Sequence, residues 1–344
     1  MFSTRRGRGR AFVAIVVAVL FVLTGCSSAG DEGAGASESR DGTFPVVVEH
    51  SMGETTIPQR PERIVALGAG TAGEILYALG VEPVGLEVFP GFGAANEDGV
   101  QPWVEPLLDT EVTTLLPSGA KGIEQVAALE PDLILLTYGE LDEATYKQLS
   151  QIAPTVASPQ GQWELDWRLE LETIASAIGM TDEAVALEAK LTDGIEQIKA
   201  DHPELDGVNY TFVEVHDAGL WPYLTADPRN QLIQELGLVS SPGVVALDKS
   251  TDGAFVGDIS LERAGDIDAD IIIAYPSTGD AQSLYSVPVF KDLSAVRRGS
   301  VAFYGQEQDI VFLASLQPSP LTIPISLERV ATDVSAAVTS ASPQ

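Results

Sequence analysis

Short runs of apolar residues alternate along this chain with segments whose apolar residues recur at helical spacing. The apolar runs do not alternate with polar residues, which is typical of parallel strands covered on both faces. Strands are therefore predicted at Arg63–Gly68, Pro83–Val88, Leu133–Thr137, Thr155–Ala157, Tyr210–Val215, Asp270–Ala274 and Ser300–Tyr304.

The helical segments follow these strands one by one. Helices are predicted at Gly73–Leu79, Ile123–Leu129, Asp142–Ile152, Trp163–Ile178, Asp182–Ala200 and Asn230–Leu236, near Leu293, and from about Leu321 to Val338. Glycines at 80 and 237 stand where a left-handed C-cap is needed. The longest helical stretch separates two series of strands, so the pattern predicts two α/β halves and a helical connector.

The N-terminus has the features of an export signal. Four arginines precede Ala11–Leu23, an apolar run of 13 residues that is too short to span a bilayer. The run leads into Leu23–Cys26, which resembles a bacterial lipobox whose cysteine is lipidated. Cys26 is the single cysteine, so no disulfide can form within the chain, and the Arg5–Arg6 pair leaves Sec and Tat export both open. Residues 27–43 are rich in Gly, Ala and Ser and predict a flexible tether.

Charge restricts the classes of partner. Without its first 25 residues the chain keeps 15 basic and 50 acidic residues, a formal charge of −35. This charge disfavours nucleic acid and anionic membrane surfaces as binding partners.

Three segments carry a family resemblance. Residues 53–87 (GETTIPQRPERIVALGAGTAGEILYALGVEPVGLE) resemble the opening of siderophore- and vitamin-B12-binding proteins of ABC importers. Residues 123–137 (IEQVAALEPDLILLT) are similar to the second landmark of that family. Segments 261–274 and 287–304 are similar to its distal lobe, and the likeness covers nearly all of residues 50–338.

The resemblance implies an α/β fold of two Rossmann-like lobes joined by a single long rigid helix, the class III periplasmic-binding-protein fold. The expected division is a lipoprotein signal peptide at 1–25, a tether at 26–43, an N-terminal lobe at 44–160, a helical connector at 161–207 and a C-terminal lobe at 208–344. A ligand would lie in the cleft between the lobes. The family implies a non-enzymatic, monomeric, lipid-anchored protein outside the cytoplasm that captures a ferric siderophore and delivers it to ABC permease subunits, without a cofactor of its own.

One motif competes with this interpretation. Gly68–Gly73 has the G-x-G-x-x-G spacing between a strand and a helix, and Glu87 follows at the end of the next strand. This is the fingerprint of a dinucleotide site, so an exported oxidoreductase with a nucleotide cofactor is an alternative. Only three histidines are present, widely spread, and no catalytic set follows the motif.

Aromatic side chains in the loops after the strands are the candidate ligand contacts, because their faces suit a bulky, partly apolar chelate. They are Phe92, Trp103 and Tyr138 in the first lobe and Trp221, Tyr223, Tyr275 and Tyr285 in the second. Packing in the core is the alternative for each of them. Trp163 and Trp167, four apart on a predicted helix, are expected to pack. Three histidines are too few for a bare-metal site, so no metal is expected.

Few arginines stand at predicted strand ends, and Arg229 and Arg297–Arg298 are expected on the surface. A cleft poor in basic groups suits a neutral or cationic ligand, which favours a ferric hydroxamate over a strongly anionic catecholate. Haem or cobalamin remains an alternative ligand within the same class.

Family members carry one glutamate on each lobe that pairs with permease arginines. Glu124 matches the first by position. Gln234 occupies the second position, with Glu235 as its neighbour, so either residue is open for this contact.

Overall fold

The computed structural model describes residues 42–90, 97–117, 122–139, 142–216, 219–251, 254–277, 287–305 and 307–340. Three strands at Gly85–Val88 (β4), Ile64–Leu67 (β3) and Leu133–Leu136 (β6) form the centre of the first sheet. Thr114–Pro117 (β5) and Thr155–Ala157 (β7) lie at its edges, and the order β5-β4-β3-β6-β7 is parallel throughout. The strand order changes direction between β3 and β6, which is where open α/β sheets bind ligands.

The second sheet is built on a parallel centre as well. Its strands are Asn209–His216 (β8), Gly219–Pro222 (β9), Val239–Ser240 (β10), Ile259–Ser260 (β11), Ile271–Pro276 (β12) and Val301–Phe303 (β13). β8, β12 and β13 are parallel, while β9 pairs antiparallel with β8 and β11 antiparallel with β9.

Helices cover both sheets. They are Thr71–Ala78 (α1), Ile123–Ala128 (α2), Glu143–Leu149 (α3), Trp167–Ile178 (α4), Thr181–Asp201 (α5), Pro228–Gln234 (α6), Pro242–Thr251 (α7), Pro288–Asp292 (α8), Ser294–Arg298 (α9), Glu307–Ser315 (α10) and Ile323–Ser340 (α11), with 3₁₀ turns at Pro203–Leu205 and Leu261–Ile267. α5, the longest with 21 residues, leads from the first half to the second. Within the described residues, no helix combines the length and apolar character that crossing a membrane requires.

The structure confirms the predicted α/β architecture and adds elements that the apolar pattern did not indicate. A two-stranded hairpin, Val46–His50 (β1) and Gly53–Ile57 (β2), precedes the first sheet. β9 lies in a segment that was interpreted as a loop, and β5 and α7 lie in segments for which no element was predicted. The predicted helix start at Trp163 is wrong: Asp166 caps α4 through its side chain, and Trp163 lies before it with a positive φ of 60°.

One apolar core runs through both halves. It includes Ile64 and Leu76 from the first half, Leu171 from α4, and Tyr210 and Ile271 from the second. Burial of a side chain of this size contributes about 1.5–3 kcal/mol, so this shared interior holds the two sheets in one body.

The turn from β3 to α1 requires glycine because two chain segments touch there. Gly68 has a φ of +102°, and a Cβ on it would overlap the Thr137 carbonyl oxygen at the end of β6. The Ala69 N–H donates to the Tyr138 carbonyl oxygen across the same gap, at 2.8 Å. The packing of these two turns fixes the backbone at the point where the strand order reverses.

Two buried carboxyl groups lie where the first half, α4 and the second half meet. Glu170 on α4 is 1% exposed and accepts a hydrogen bond from Thr71 Oγ1 at 3.0 Å. Glu74 on α1 accepts from Trp103 Nε1 at 2.8 Å. Burial raises the pKa of each glutamate to about 7. For Glu74, hydrogen bonds from Ser319 and Trp103 oppose this rise. For Glu170, the nearby carboxylate of Glu74 adds to it.

We predict that Gly68→Ala destabilises the protein far more than Gly80→Ala. Both glycines have positive φ, but a Cβ on Gly80 meets nothing within 4 Å. Gly80→Ala should lower the free energy of unfolding by about 1–2 kcal/mol from backbone strain alone, and Gly68→Ala by more than about 3 kcal/mol. Urea unfolding measures both, and equal midpoints for the two variants would contradict the tight contact.

The buried carboxyls predict a loss of stability on going from acid to neutral pH. A pKa raised above its unfolded value means that the native state binds more protons, so the stabilisation present below about pH 4.5 is lost as the pH rises through 7. The loss is roughly 3 kcal/mol per group.

Glu170→Gln should therefore raise the melting temperature at pH 8 with little effect at pH 5, because the amide retains an acceptor for Thr71 and never ionises. Thermal unfolding across this pH range is the measurement, and Glu124→Gln, an exposed carboxyl on α2, is the matched control. A pH slope unchanged in Glu170→Gln would disprove the assignment.

Candidate ligand-binding cleft

The first half carries a cavity of about 390 Å³ at the carboxyl ends of β3, β4, β5 and β6. Its wall includes the backbone of Gly68, the side chains of Glu87, Gln125, Asp142 and Thr145, and the ring of Trp163. Such a volume is within the range of small-molecule sites. The cavity therefore lies where the strand order predicts a ligand.

Tyr138 and Trp163 form the aromatic edge of this region. Their rings meet edge to face with centroids 5.4 Å apart. Burial raises the pKa of the Tyr138 phenol to about 12, against the opposing effect of the Arg229 guanidinium of the second half. Tyr138 therefore lies near enough to the second half to feel the charge of Arg229, and its contact with a ligand stays a prediction. Trp163, expected to pack on a helix, lines the cavity instead.

Arg229 is a cationic residue of the second half that lies beside the candidate aromatic groups. The sequence placed it on the surface, which is wrong: its side chain is 23% exposed and its guanidinium lies 4.0 Å from the ring centroid of Tyr223. Asp227 caps α6 and accepts from Arg229 Nε at 3.0 Å and Nη2 at 2.6 Å. The guanidinium is therefore held in place by a neutralising carboxylate and an aromatic face.

The remaining second-half candidates lie on one face of β8, β9 and β12. Trp221 is 42% exposed and its ring lies against that of His216, with centroids 3.7 Å apart and an angle of 40° between the ring planes. Tyr223 and Tyr275 are buried, and each phenol donates to Glu214 Oε2, at 3.1 and 2.8 Å respectively. The short antiparallel strand β9 brings Trp221 and Tyr223 to the same face, which a loop interpretation could not show.

Other predicted contacts are placed differently or lie outside the described residues. The Trp103 indole is partly buried against the core and donates to the buried Glu74, and it is not part of the cavity wall. Phe92, Tyr285 and Cys26 lie outside the described residues, so their roles stay predictions.

The glycine turn has a partner of its own. Gly68 N–H donates to Glu87 Oε2 at 2.7 Å. In a dinucleotide site the backbone of this turn faces pyrophosphate, whereas here a carboxylate of the same chain meets it. Thr71, at the first position of α1, likewise donates to Glu170. This geometry does not favour a phosphate at the turn.

The three candidates for contact with the permease differ in how available they are to an arginine of a partner. Glu124 lies exposed in the first turn of α2. Glu235 accepts from Arg168 Nη1 and Nη2, both at 2.8 Å, and from Trp167 Nε1 at 3.2 Å. Gln234 contacts Ser240 at 3.4 Å. An arginine of a partner would have to compete with Arg168 for Glu235.

No cluster of three or more His, Cys, Asp or Glu side chains in the described part of the chain is arranged to hold a metal ion. The candidate residues described above offer aromatic faces, phenol hydroxyls and the Arg229 guanidinium. These are means of binding a solute.

Comparison with known proteins agrees with this geometry. A family model described as periplasmic binding protein matches residues 64–308. YhfQ of Bacillus subtilis, named as an ABC transporter substrate-binding lipoprotein, is 26% identical over 315 residues, covering 85% of this chain and 89% of YhfQ. The ferric enterobactin-binding periplasmic protein FepB of Escherichia coli is 25% identical over 276 residues, covering 77% of this chain and 85% of FepB.

A solved structure shows the same architecture. PiaA of Streptococcus pneumoniae in complex with ferrichrome is 28% identical and aligns with a TM-score of 0.75, covering 86% of this chain and all of PiaA. The fold is thus that of the class III binding proteins, two α/β lobes joined by a long helix. Because the family model matches well over half of its residues, the chain belongs to the periplasmic binding protein family.

Proposed function

We propose that this protein is a lipid-anchored binding protein that captures a ferric siderophore between its two halves and delivers it to an ABC importer. The relatives named above are transport binding proteins, periplasmic or lipoprotein, which supports a non-enzymatic role outside the cytoplasm. Lipidation of Cys26 and a monomeric state belong to this proposal.

The observation that carries the proposal is the position of the Arg229 guanidinium beside candidate aromatic groups of the cleft. The Arg229 guanidinium lies 4.0 Å from the centroid of the Tyr223 ring. Burial raises the pKa of the Tyr138 phenol, which belongs to the opposite half, and the positive charge of Arg229 opposes that rise. A bulky chelate between the halves would meet aromatic faces on both sides and one strong hydrogen-bond donor.

The charge of this group favours a hydroxamate ligand. Arg229 is already paired with Asp227, so the pair presents little net positive charge. A trianionic ferric catecholate would need several unpaired cations for its desolvation, whereas a ferric hydroxamate of low charge would not. The ferrichrome complex of PiaA supports the same ligand class.

We predict that ferrichrome quenches the tryptophan fluorescence of the protein with at least micromolar affinity and that ferric enterobactin binds much more weakly. Arg229→Gln should weaken ferrichrome binding about tenfold or more, equivalent to about 1.4 kcal/mol, because a donor to the chelate is lost. Arg263→Gln, an exposed arginine paired with Asp266, is the matched control. Tight binding of ferric enterobactin without binding of ferrichrome would refute the hydroxamate proposal.

Glu124 is proposed as the permease contact of the first half. Glu124→Arg should reduce uptake of the ferric siderophore in cells without changing the affinity of the purified protein, because the reversed charge repels a permease arginine. Glu196→Arg, exposed on α5, is the control and should leave uptake intact. A change in ligand affinity with normal uptake would contradict the docking role.

A further inference from the structure

His50, the last residue of β1, is the centre of a buried hydrogen-bond network that lies away from the cavity wall. Its side chain is 8% exposed. The Met52 N–H donates to His50 Nδ1 at 3.2 Å, and His50 Nε2 lies 2.9 Å from Thr55 Oγ1 on β2. The Tyr146 hydroxyl of α3 lies 3.4 Å from Nε2 and 3.3 Å from Thr55 Oγ1. The ring therefore joins both strands of the hairpin to α3.

The partners of the ring fix its protonation state. A backbone N–H can only donate, so Nδ1 must present a lone pair to Met52, and the proton of the neutral imidazole then lies on Nε2. Thr55 agrees with this assignment, because its hydroxyl hydrogen is donated to the Thr155 carbonyl oxygen at 2.6 Å and its oxygen is left to accept from Nε2–H. The network is complete only while His50 is neutral.

A second proton on the ring would act on the hairpin turn. Protonation of Nδ1 would place two donors, Nδ1–H and the Met52 N–H, face to face at 3.2 Å. The turn would lose this hydrogen bond, whereas Thr55 could still accept from Nε2–H. Acid therefore affects the turn before it affects the rest of the network.

The same turn attaches the hairpin to the segment that follows β7. Ser51 donates twice to the Ser158 carbonyl oxygen, from its N–H at 3.0 Å and from its hydroxyl at 2.6 Å. Residues 159–165, called the Trp163 segment below, make no backbone-to-backbone hydrogen bond with any described residue. The segment is thus held mainly at its ends, by Ser158 and by the cap residue Asp166.

Trp163 connects this segment to the cavity. Its ring lines the cavity of the first half and meets Tyr138 edge to face. Its backbone has a φ of 60°, a conformation that a residue other than glycine keeps only where its surroundings hold it. Loosening the segment at Ser158 would therefore let Trp163 leave the cavity wall.

We propose that His50 is a positioning residue for the ligand cavity and that its protonation weakens ligand binding. When neutral, His50 holds the hairpin turn against Ser158 and so keeps Trp163 at the cavity wall. When protonated, it releases the turn. This inference rests on the proposed function and adds to it a dependence of ligand affinity on pH.

The direction of the pH dependence follows from the burial of the ring. Desolvation by burial lowers the pKa of His50 below its ordinary value of 6.5. The native form therefore binds fewer protons, so the stabilisation by His50 is present above about pH 6.5 and is lost as the pH falls through the lowered value. Glu74 and Glu170 act in the opposite direction, because burial raises their pKa values.

Other titratable groups lie on the elements around the network without contacting the ring. Apart from Tyr146, no titratable side chain in the described part of the chain is bonded to or ion-paired with His50. The hairpin packs against β7 and α4, and α3 packs against β7. The charged side chains on these elements are Glu49 on β1, Glu54 on β2, Glu143 and Lys147 on α3, and Arg168, Glu170 and Glu172 on α4.

The test measures the affinity for ferrichrome by tryptophan fluorescence at pH 7.5 and at pH 5.0. The wild type should bind at least about threefold more weakly at pH 5.0. His50→Asn should lose this difference, because an asparagine oxygen accepts from the N–H two residues on, as in an Asx turn, and does not titrate. His50→Ala, which has no acceptor, should bind at pH 7.5 about as weakly as the wild type does at pH 5.0. His202→Asn, at the end of α5, is the matched control and should keep the wild-type pH dependence.

Hydrogen–deuterium exchange gives a second readout that needs no ligand. Exchange in the Trp163 segment, corrected for the chemical effect of pH, should be faster at pH 5.0 than at pH 7.5 in the wild type and should not differ in His50→Asn. The other titratable groups, Glu74 and Glu170 among them, are the same in both proteins. The difference between the two pH profiles therefore isolates His50.

The outcomes separate the two proposals. Ferrichrome binding with equal pH dependence in the wild type and His50→Asn would overturn the inference and leave the proposed function standing. Equal exchange of the Trp163 segment at both pH values in the wild type would overturn it as well. If ferrichrome binds at neither pH while the segment responds to pH in the wild type alone, the proposed function is wrong and the control of Trp163 by His50 stands.

Discussion

The contact between the β3–α1 turn and the end of β6 is the constraint on which the cleft depends. Gly68 and the Thr137 carbonyl approach so closely that no side chain fits between them. At the same turn the Ala69 N–H donates to the Tyr138 carbonyl oxygen and the Gly68 N–H to Glu87. A sequence motif typical of nucleotide binding is thereby used to bring two strand ends together at the point where the strand order reverses.

The sequence predicted the regular part of the fold because that part follows local rules. Uninterrupted apolar runs such as Leu133–Leu136 became buried parallel strands, and Gly80 ends α1 with positive φ. β9 was missed because four residues that include a proline do not make an apolar run, and its pairing with β8 is a tertiary effect. Trp163 was assigned to a helix on its spacing from Trp167, but the cap at Asp166 starts the helix later.

The site was predicted less completely, for physical reasons. Aromatic residues after strands are a local signal, and it selected Tyr138, Trp221, Tyr223 and Tyr275. Their contact with a ligand stays a prediction, since Tyr223 and Tyr275 also belong to the buried core. Arg229 could not be selected in this way, since its burial depends on a carboxylate two residues away and on a ring from another element.

The apolar interior that passes from the first sheet through α4 and α5 to the second has a consequence for how such proteins diverge. Residues such as Leu171, Ile195 and Leu327 belong to the apolar core that runs through both halves, and each half adds a smaller apolar cluster of its own. If one half were exchanged for that of a relative, the side chains of the shared core would no longer fit together. Each resulting void or steric overlap would lower the free energy of unfolding. New ligand preferences are therefore acquired most readily by changing the loops at the strand ends, while the two halves are inherited together.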